Sequence, residues 1–79
     1  MERRRYVVVI EPTETGFSAY VPDVLGCVST GATQQEVENN IREALEGHLA
    51  CMTEDGAAIP EAVSEAVTVD VRLPVVRVA

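Results

Sequence analysis

The stretch over residues 33–52, TQQEVENNIREALEGHLACM, decides the fold because it combines a helix start with a continuous apolar stripe. Thr33 stands three residues before Glu36, the capping-box spacing that satisfies free N–H groups at a helix start. Gly56 is a stop signal, so the pattern predicts a helix of about five turns. Its stripe, which we expect to face a sheet, recurs at steps of three and four: Val37, Ile41, Ala44, Leu45, His48, Leu49 and Met52.

Three strands are predicted before this helix. Residues 6–10, YVVVI, form a β-branched run with almost no polar interruption, typical of a central strand covered on both faces. Residues 11–16 contain Pro and Gly and predict a hairpin turn. Residues 17–21 alternate as a returning strand, and residues 27–30 have the composition of a short third strand after a turn-rich link.

A fourth strand is predicted after the helix, at residues 67–73, where Val and Leu alternate with polar residues. The connector at 57–66 has room for one helical turn after Pro60. Beyond Pro74, residues 75–78 could add an edge segment or cross to a second protomer. The prediction is one α+β domain over residues 1–79, in the order β-β-β-α-β, with a small antiparallel-rich sheet and one long helix packed on one face.

Size and charge limit the classes of function. A chain of 79 residues buries only about 60% of the surface that its unfolded form exposes, so self-association as a homodimer or homotetramer is expected. The net charge of −7 disfavours direct binding of nucleic acid and suits a basic protein partner. The sequence has no signal-peptide pattern and no stretch near the ~20 apolar residues that cross a bilayer, so the cytoplasm is the expected compartment and no membrane contact is expected.

The sequence gives little support for catalysis, a metal or a cofactor. Cys27 and Cys51 lack paired ligand spacing and accompanying histidines. His48 lies on or beside the apolar stripe and is interpreted as a core or rim histidine. A metal-dependent nuclease is a weaker hypothesis, in which carboxylates converge in a two-metal site: Glu11, Glu43 or Glu46, and Asp70. We expect no enzyme activity and no cofactor.

Most of the chain resembles one known family. Residues 22–33, PDVLGCVSTGAT, are followed by Glu36-Val37 and by Glu43-Ala44-Leu45. Together with the strand at 6–10, the return at 16–19 and Ile59-Pro60-Glu61, this combination resembles the HicB-like antitoxins. The resemblance implies a partial RNase H-like fold with strand-strand-strand-helix-strand order, in a protein that inhibits and does not cleave.

The resemblance also implies a partner and candidate contacts. HicB-like proteins typically neutralise HicA, a small basic toxin that cleaves messenger RNA, by covering its active site. A C-terminal DNA-binding segment is usual in the family, and residues 74–79 are too few to form one, so direct DNA binding is not expected. The alternative is an orphan homo-oligomeric interaction or small-ligand module without a toxin. The candidate contacts lie in one loop and on the outer helix face: Pro22, Asp23, Val24, Leu25, Gly26, Glu36, Glu43 and Glu46.

Overall fold

The computed structural model describes residues 2–75, which form three strands followed by one long helix. The strands are β1 (Val9–Pro12), β2 (Phe17–Tyr20) and β3 (Val28–Gly31), and the helix is α1 (Gln34–Glu54). The α+β class and the β-β-β-α order are thus confirmed. The strand bounds differ from the predicted ones by at most three residues, and the start of β2 coincides with the prediction.

The sheet is antiparallel in the order β1-β2-β3, so β2 is its central strand. The prediction of a central strand at residues 6–10 was wrong, because β1 begins at Val9 and has a neighbour on one side only. Val9 lies opposite Tyr20, and Tyr20 lies opposite Val28, which places these three side chains on one face. Ala19, on the other face, belongs to the core.

The predicted caps of α1 are confirmed. The Glu36 N–H donates to Thr33 Oγ1 at 3.0 Å, and Glu36 Oε1 accepts from the Ala32 N–H at 3.1 Å. This second bond is a variant of the capping box, since it reaches one residue before the cap itself. At the other end Asp55 is the C-cap, and Gly56 takes a φ of +75° that ends the helix.

The core lies between α1 and the inner face of the sheet. Only the first half of the apolar stripe of α1 is buried there. Val37 and Ile41 are buried, while Ala44 and Leu45 pack at the margin of the core. The first turn of α1 comes very close to β3, because a Cβ placed on Gly31 would lie 2.5 Å from the Val37 nitrogen. The fully buried set is small: Ala19, Val21, Val24, Cys27, Val37 and Ile41.

The fourth strand predicted at residues 67–73 is not formed. Residues 57–75 contain neither helix nor strand, so the single turn considered after Pro60 is absent as well. A strand needs a hydrogen-bonded neighbour, and none of the described strands pairs with this segment. The edge segment considered at 75–78 falls largely outside the described residues, and the RNase H-like arrangement stays a prediction.

Candidate partner-binding surface

The link between β2 and β3 is a closed loop over residues 21–27. The Val21 N–H donates to the Cys27 carbonyl at 3.3 Å, and the Val24 N–H donates back to the Val21 carbonyl at 3.1 Å. These bonds turn Val24 into the core, where it is 1% exposed. Val24 was predicted to contact a partner, and its burial removes it from the candidate surface. Gly26 is exposed and has a φ of +84°, a conformation that favours glycine.

Leu25 projects from the tip of this loop and is 95% exposed. An apolar side chain at this exposure gains nothing from the fold of its own chain. Tyr20 and Val28, the residues on either side of the loop that pair across β2 and β3, are also exposed on the outer sheet face. The loop tip and this face form an apolar area that sequence reasoning missed. The strand alternation placed Tyr20 on the outer face, but Val28 carried no such signal.

Asp23 binds the chain that follows the helix. Its Oδ2 accepts from the Ser64 N–H at 2.8 Å and the Val63 N–H at 3.0 Å, and its Oδ1 accepts from the Ser64 hydroxyl at 2.7 Å. These hydrogen bonds, led by that of the Ser64 N–H, hold the pKa of the Asp23 carboxyl below its usual value. Asp23 was predicted to contact a partner. In the structure its carboxylate anchors the chain 40 residues later.

A second attachment lies four residues earlier. The Tyr6 hydroxyl donates to the Pro60 carbonyl at 2.6 Å, and Arg4 Nη1 donates to the same oxygen at 3.2 Å. The segment from Pro60 to Ser64 is therefore tied to the body at both ends. Residues 65–75, which we call the arm, follow this attachment and are exposed throughout.

The acidic residues on α1 differ in what they contact. Glu36 is exposed, but its carboxylate is used in the helix cap. Glu43 and Glu46 lie on the outer side and, within residues 2–75, enter no hydrogen bond or salt bridge. They are free to meet a cationic partner. No hydrogen bond in the described part of the chain joins this face to the 21–27 loop.

A shallow groove runs along the second half of α1. Its lining includes Glu43, His48 and Cys51. His48 is half-buried and Cys51 is exposed on the same side, three residues apart, a proximity that sequence reasoning overlooked. No hydrogen bond joins their side chains among the described residues, so the structure shows no activated nucleophile.

The carboxylates considered for a metal site are separated by the fold. Glu11 lies on β1, whereas Glu43 and Glu46 lie on the helix side turned away from the sheet, and Asp70 is in the arm. Across residues 2–75 no three His, Cys, Asp or Glu side chains are grouped as metal ligands. In the same range, α1 is too polar to span a bilayer.

Comparison with known proteins gives a family match over most of the chain. Residues 6–72 match the model of a family described as the HicB-like antitoxin of bacterial toxin-antitoxin systems. No solved structure matches the chain.

Three curated relatives are similar. A UPF0150 protein of Helicobacter pylori is 44% identical over 50 residues, which are 63% of this chain and 69% of that protein. A UPF0150 protein of Thermoplasma acidophilum is 32% identical over 66 residues, which are 82% of this chain and 96% of that protein. A 14.9 kDa protein from the rep-hol intergenic region of Haemophilus phage HP1 is 39% identical over 56 residues, or 71% of this chain; the chain spans only 42% of the phage protein.

Proposed function

Because the chain belongs to the HicB-like antitoxin family, we propose that it binds and masks a small basic toxin of the HicA type, which cleaves messenger RNA. The observation that carries the proposal is the pair of acidic side chains on the outer face of α1. Glu43 and Glu46 are exposed in a protein of net charge −7, and the structure of the described chain uses neither. Such a face attracts a cationic surface and accelerates encounter with it.

The second contact in the proposal is the tip of the 21–27 loop. Interfaces take most of their binding energy from a few well-packed, fully desolvated anchor residues, and charged rims contribute rate and orientation. Leu25 supplies an apolar anchor because it is 95% exposed. Pro22 and Gly26 are exposed beside it and fix the shape of the loop. The toxin acts on messenger RNA, so the complex forms in the cytoplasm.

Charge reversal on α1 tests the proposal. The double variant Glu43→Lys/Glu46→Lys should bind a HicA-type toxin at least ~10-fold more weakly, mostly through a slower association rate that depends on salt. The matched control is Glu11→Lys/Glu14→Lys, which makes the same change in net charge at the exposed hairpin end. An equal loss of toxin affinity in the two double variants contradicts a specific role of the helix face.

Truncation of the loop tip tests the second contact. Leu25→Ala should weaken toxin binding about 10-fold and raise the dissociation rate. Val63→Ala serves as the control, because Val63 is 75% exposed but lies outside the loop. A toxin that remains fully active when co-expressed with the wild-type chain, and does not co-purify with it, refutes the proposed function as a whole.

A second candidate function is a homo-oligomeric interaction module without a toxin. The exposed arm favours it, because apolar side chains that no other residue covers point to self-association. Both functions involve self-association, and only the first includes a toxin partner. A short basic reading frame beside the gene favours the antitoxin, and its absence favours the module.

A further inference from the structure

The arm has the sequence pattern of a strand, but it is neither paired with another strand nor covered on its apolar face. Val67, Val69, Val71 and Leu73 alternate with polar residues, and each of the four is between 68% and 80% exposed. Alternation of this kind is typical of a strand with one buried face. Within the described chain the arm has neither a hydrogen-bonded neighbour nor a cover for its apolar face.

The exposed area is large enough to form a stable interface. The chain has 6845 Å² of accessible surface, whereas a compact protein of 8.5 kDa is expected to have about 4,700 Å². Its radius of gyration is 16.6 Å, against about 12 Å for a compact chain of this length. The excess of about 2,000 Å² in one copy is larger than the roughly 800 Å² that each partner buries in a standard interface. A single copy therefore exposes more surface than a compact chain of this size, and a second copy can bury part of it.

We propose that the arm pairs with the arm of a second copy as an antiparallel two-stranded ribbon whose twofold axis passes through Val71. This inference rests on the self-association proposed above and is tested on the chain without a toxin. A twofold interface uses the same segment of both copies, so the arm must be complementary to itself. In one register its sequence also sets opposite charges against each other.

Charge selects that register. Facing residues must have the same parity for the apolar side chains of both arms to share a face. An axis at Asp70 sets Asp70 against Asp70, and an axis at Arg72 sets Arg72 against Arg72, which are like charges directly opposite each other and destabilising. An axis at Val71 sets each Asp70 opposite Arg72 of the second copy. It thus forms two ion pairs while Val69 faces Leu73 and Val71 faces its own copy.

Proline is compatible with the same register. The axis at Val71 places Pro74 opposite Thr68 of the second copy. If the Val71 pair is a hydrogen-bonded pair, the Pro74 pair is a non-hydrogen-bonded one, where the missing N–H of proline is not needed for the ladder. The Asp70–Arg72 pairs are then of the same type, in which facing side chains lie closer together.

The outer sheet face lies at the root of the arm and can cover the ribbon. An isolated two-stranded ribbon is marginal in water and needs a surface to pack against. Asp23 fixes the root of the arm at Ser64, and the loop that contains Asp23 joins the strand ends at Tyr20 and Val28. Tyr20 is 42% exposed and Val28 is 66% exposed. In the proposed dimer the apolar side of the ribbon packs on this face.

Charge exchange tests the register in the full chain. Asp70→Arg creates two like-charge pairs in each dimer and should raise the dimer dissociation constant about tenfold or more in sedimentation equilibrium. Asp70→Arg/Arg72→Asp restores opposite charges and should return the constant to within about threefold of wild type. Asp55→Arg is the matched control, because it makes the same change in net charge on an exposed residue at the helix end.

Cross-linking locates the axis. In a Cys51→Ser background, Val71→Cys should give a disulfide-linked dimer on mild oxidation, since facing Cα atoms about 5.5 Å apart suit a disulfide. Thr68→Cys should not, because the two Thr68 residues are then six positions apart along the ribbon, or about 20 Å.

Three results overturn the proposal. The first is a wild type that is still monomeric at about 100 µM, a concentration at which a dimer with a dissociation constant in the roughly micromolar range is formed. The others are a dimer whose dissociation constant does not respond to the charge exchange, and equal cross-linking at both cysteines. The proposed function fails separately. Loss of toxin binding in the Glu43 and Glu46 variants leaves dimer formation in the absence of toxin unchanged, and a monomeric chain can still bind toxin.

Discussion

The same substitution should have opposite effects at two glycines, because only one of them is in close contact with the rest of the structure. A Cβ on Gly31 would lie 2.5 Å from the nitrogen and 2.9 Å from the Cα of Val37, and both are backbone atoms that no side-chain rotation can move. A Cβ on Gly47, in the middle of α1, would have no heavy atom within 4 Å.

The magnitudes follow from this geometry. Gly31→Ala requires the first turn of α1 to withdraw from β3 by about 1 Å to reach ordinary contact distance. Overpacking of this kind costs about 1–3 kcal/mol, in a protein whose total stability is about 4–12 kcal/mol for 79 residues. Gly47→Ala removes a helix-interior glycine and should add about 1 kcal/mol.

Thermal unfolding followed by circular dichroism measures both effects. At the size of this chain each kcal/mol shifts Tm by about 4–8 °C, so Gly31→Ala should lower Tm by about 4–24 °C and Gly47→Ala should raise it by about 4–8 °C. All samples need the same protein concentration, because self-association makes Tm depend on concentration. An unchanged Tm for Gly31→Ala refutes the close packing of α1 on β3, and a lower Tm for Gly47→Ala refutes its open surroundings.

Three further predictions test the core, the cap and the anchor. Ile41→Ala should cost about 2–5 kcal/mol through the cavity that it leaves, measured by urea unfolding; Val63→Ala, an exposed control outside the arm and the outer sheet face, should cost far less, and equal losses contradict the assigned core. Thr33→Ala should cost about 1 kcal/mol by removing the N-cap hydroxyl, and no change in the same assay contradicts the cap. The Asp23 anchor stabilises the fold fully above the unfolded pKa of about 3.9 and loses this contribution as the pH falls through its lowered folded pKa. Protection of the Ser64 amide from hydrogen exchange, corrected for the intrinsic rate, should therefore persist at pH 5 and be lost in Asp23→Ala, which removes the acceptor; equal protection in the variant contradicts the anchor.

The sequence predicted α1 well because its signals act over short distances. Thr33, Glu36 and Gly56 determine the two ends of the helix through bonds within a few residues, and the structure contains those bonds. The apolar stripe was predicted to face the sheet, and it does so at Val37 and Ile41. The second half of the stripe is only half-buried, which periodicity cannot reveal because it carries no information on what covers a helix face.

The strands and the site were harder to predict because their surroundings depend on distant residues. An uninterrupted apolar run at residues 6–10 indicated a central strand, but the position of a strand in a sheet is decided by pairing, which placed β1 at the edge. Val24 and Leu25 are adjacent and similar in hydropathy, yet one is 1% exposed and the other 95%. The turn that separates them depends on backbone bonds to Val21 and Cys27.

Alternation in the arm predicted a strand, and the physical reason for its absence in one copy is different. The period-2 pattern states that one face of a segment becomes buried, but it does not say which chain buries it. The predicted strand at residues 67–73 is unpaired in one copy, so the proposed dimer is a way to satisfy the same pattern between two chains. The charges of Asp70 and Arg72 add the register, which hydropathy alone leaves open.

Asp23 connects the proposed dimer with the proposed toxin site, because a single loop holds the root of the arm and presents Leu25. Fixing the two arms in a ribbon also fixes Ser64, and through it the carboxylate of Asp23, two residues before the loop tip. A loop ordered in advance loses less entropy when it binds, so the dimer should bind a toxin more tightly than the monomer does. Thermodynamic linkage then requires the toxin to tighten the dimer by the same factor. Dimer formation and toxin binding are therefore expected to reinforce each other, even though they use different side chains.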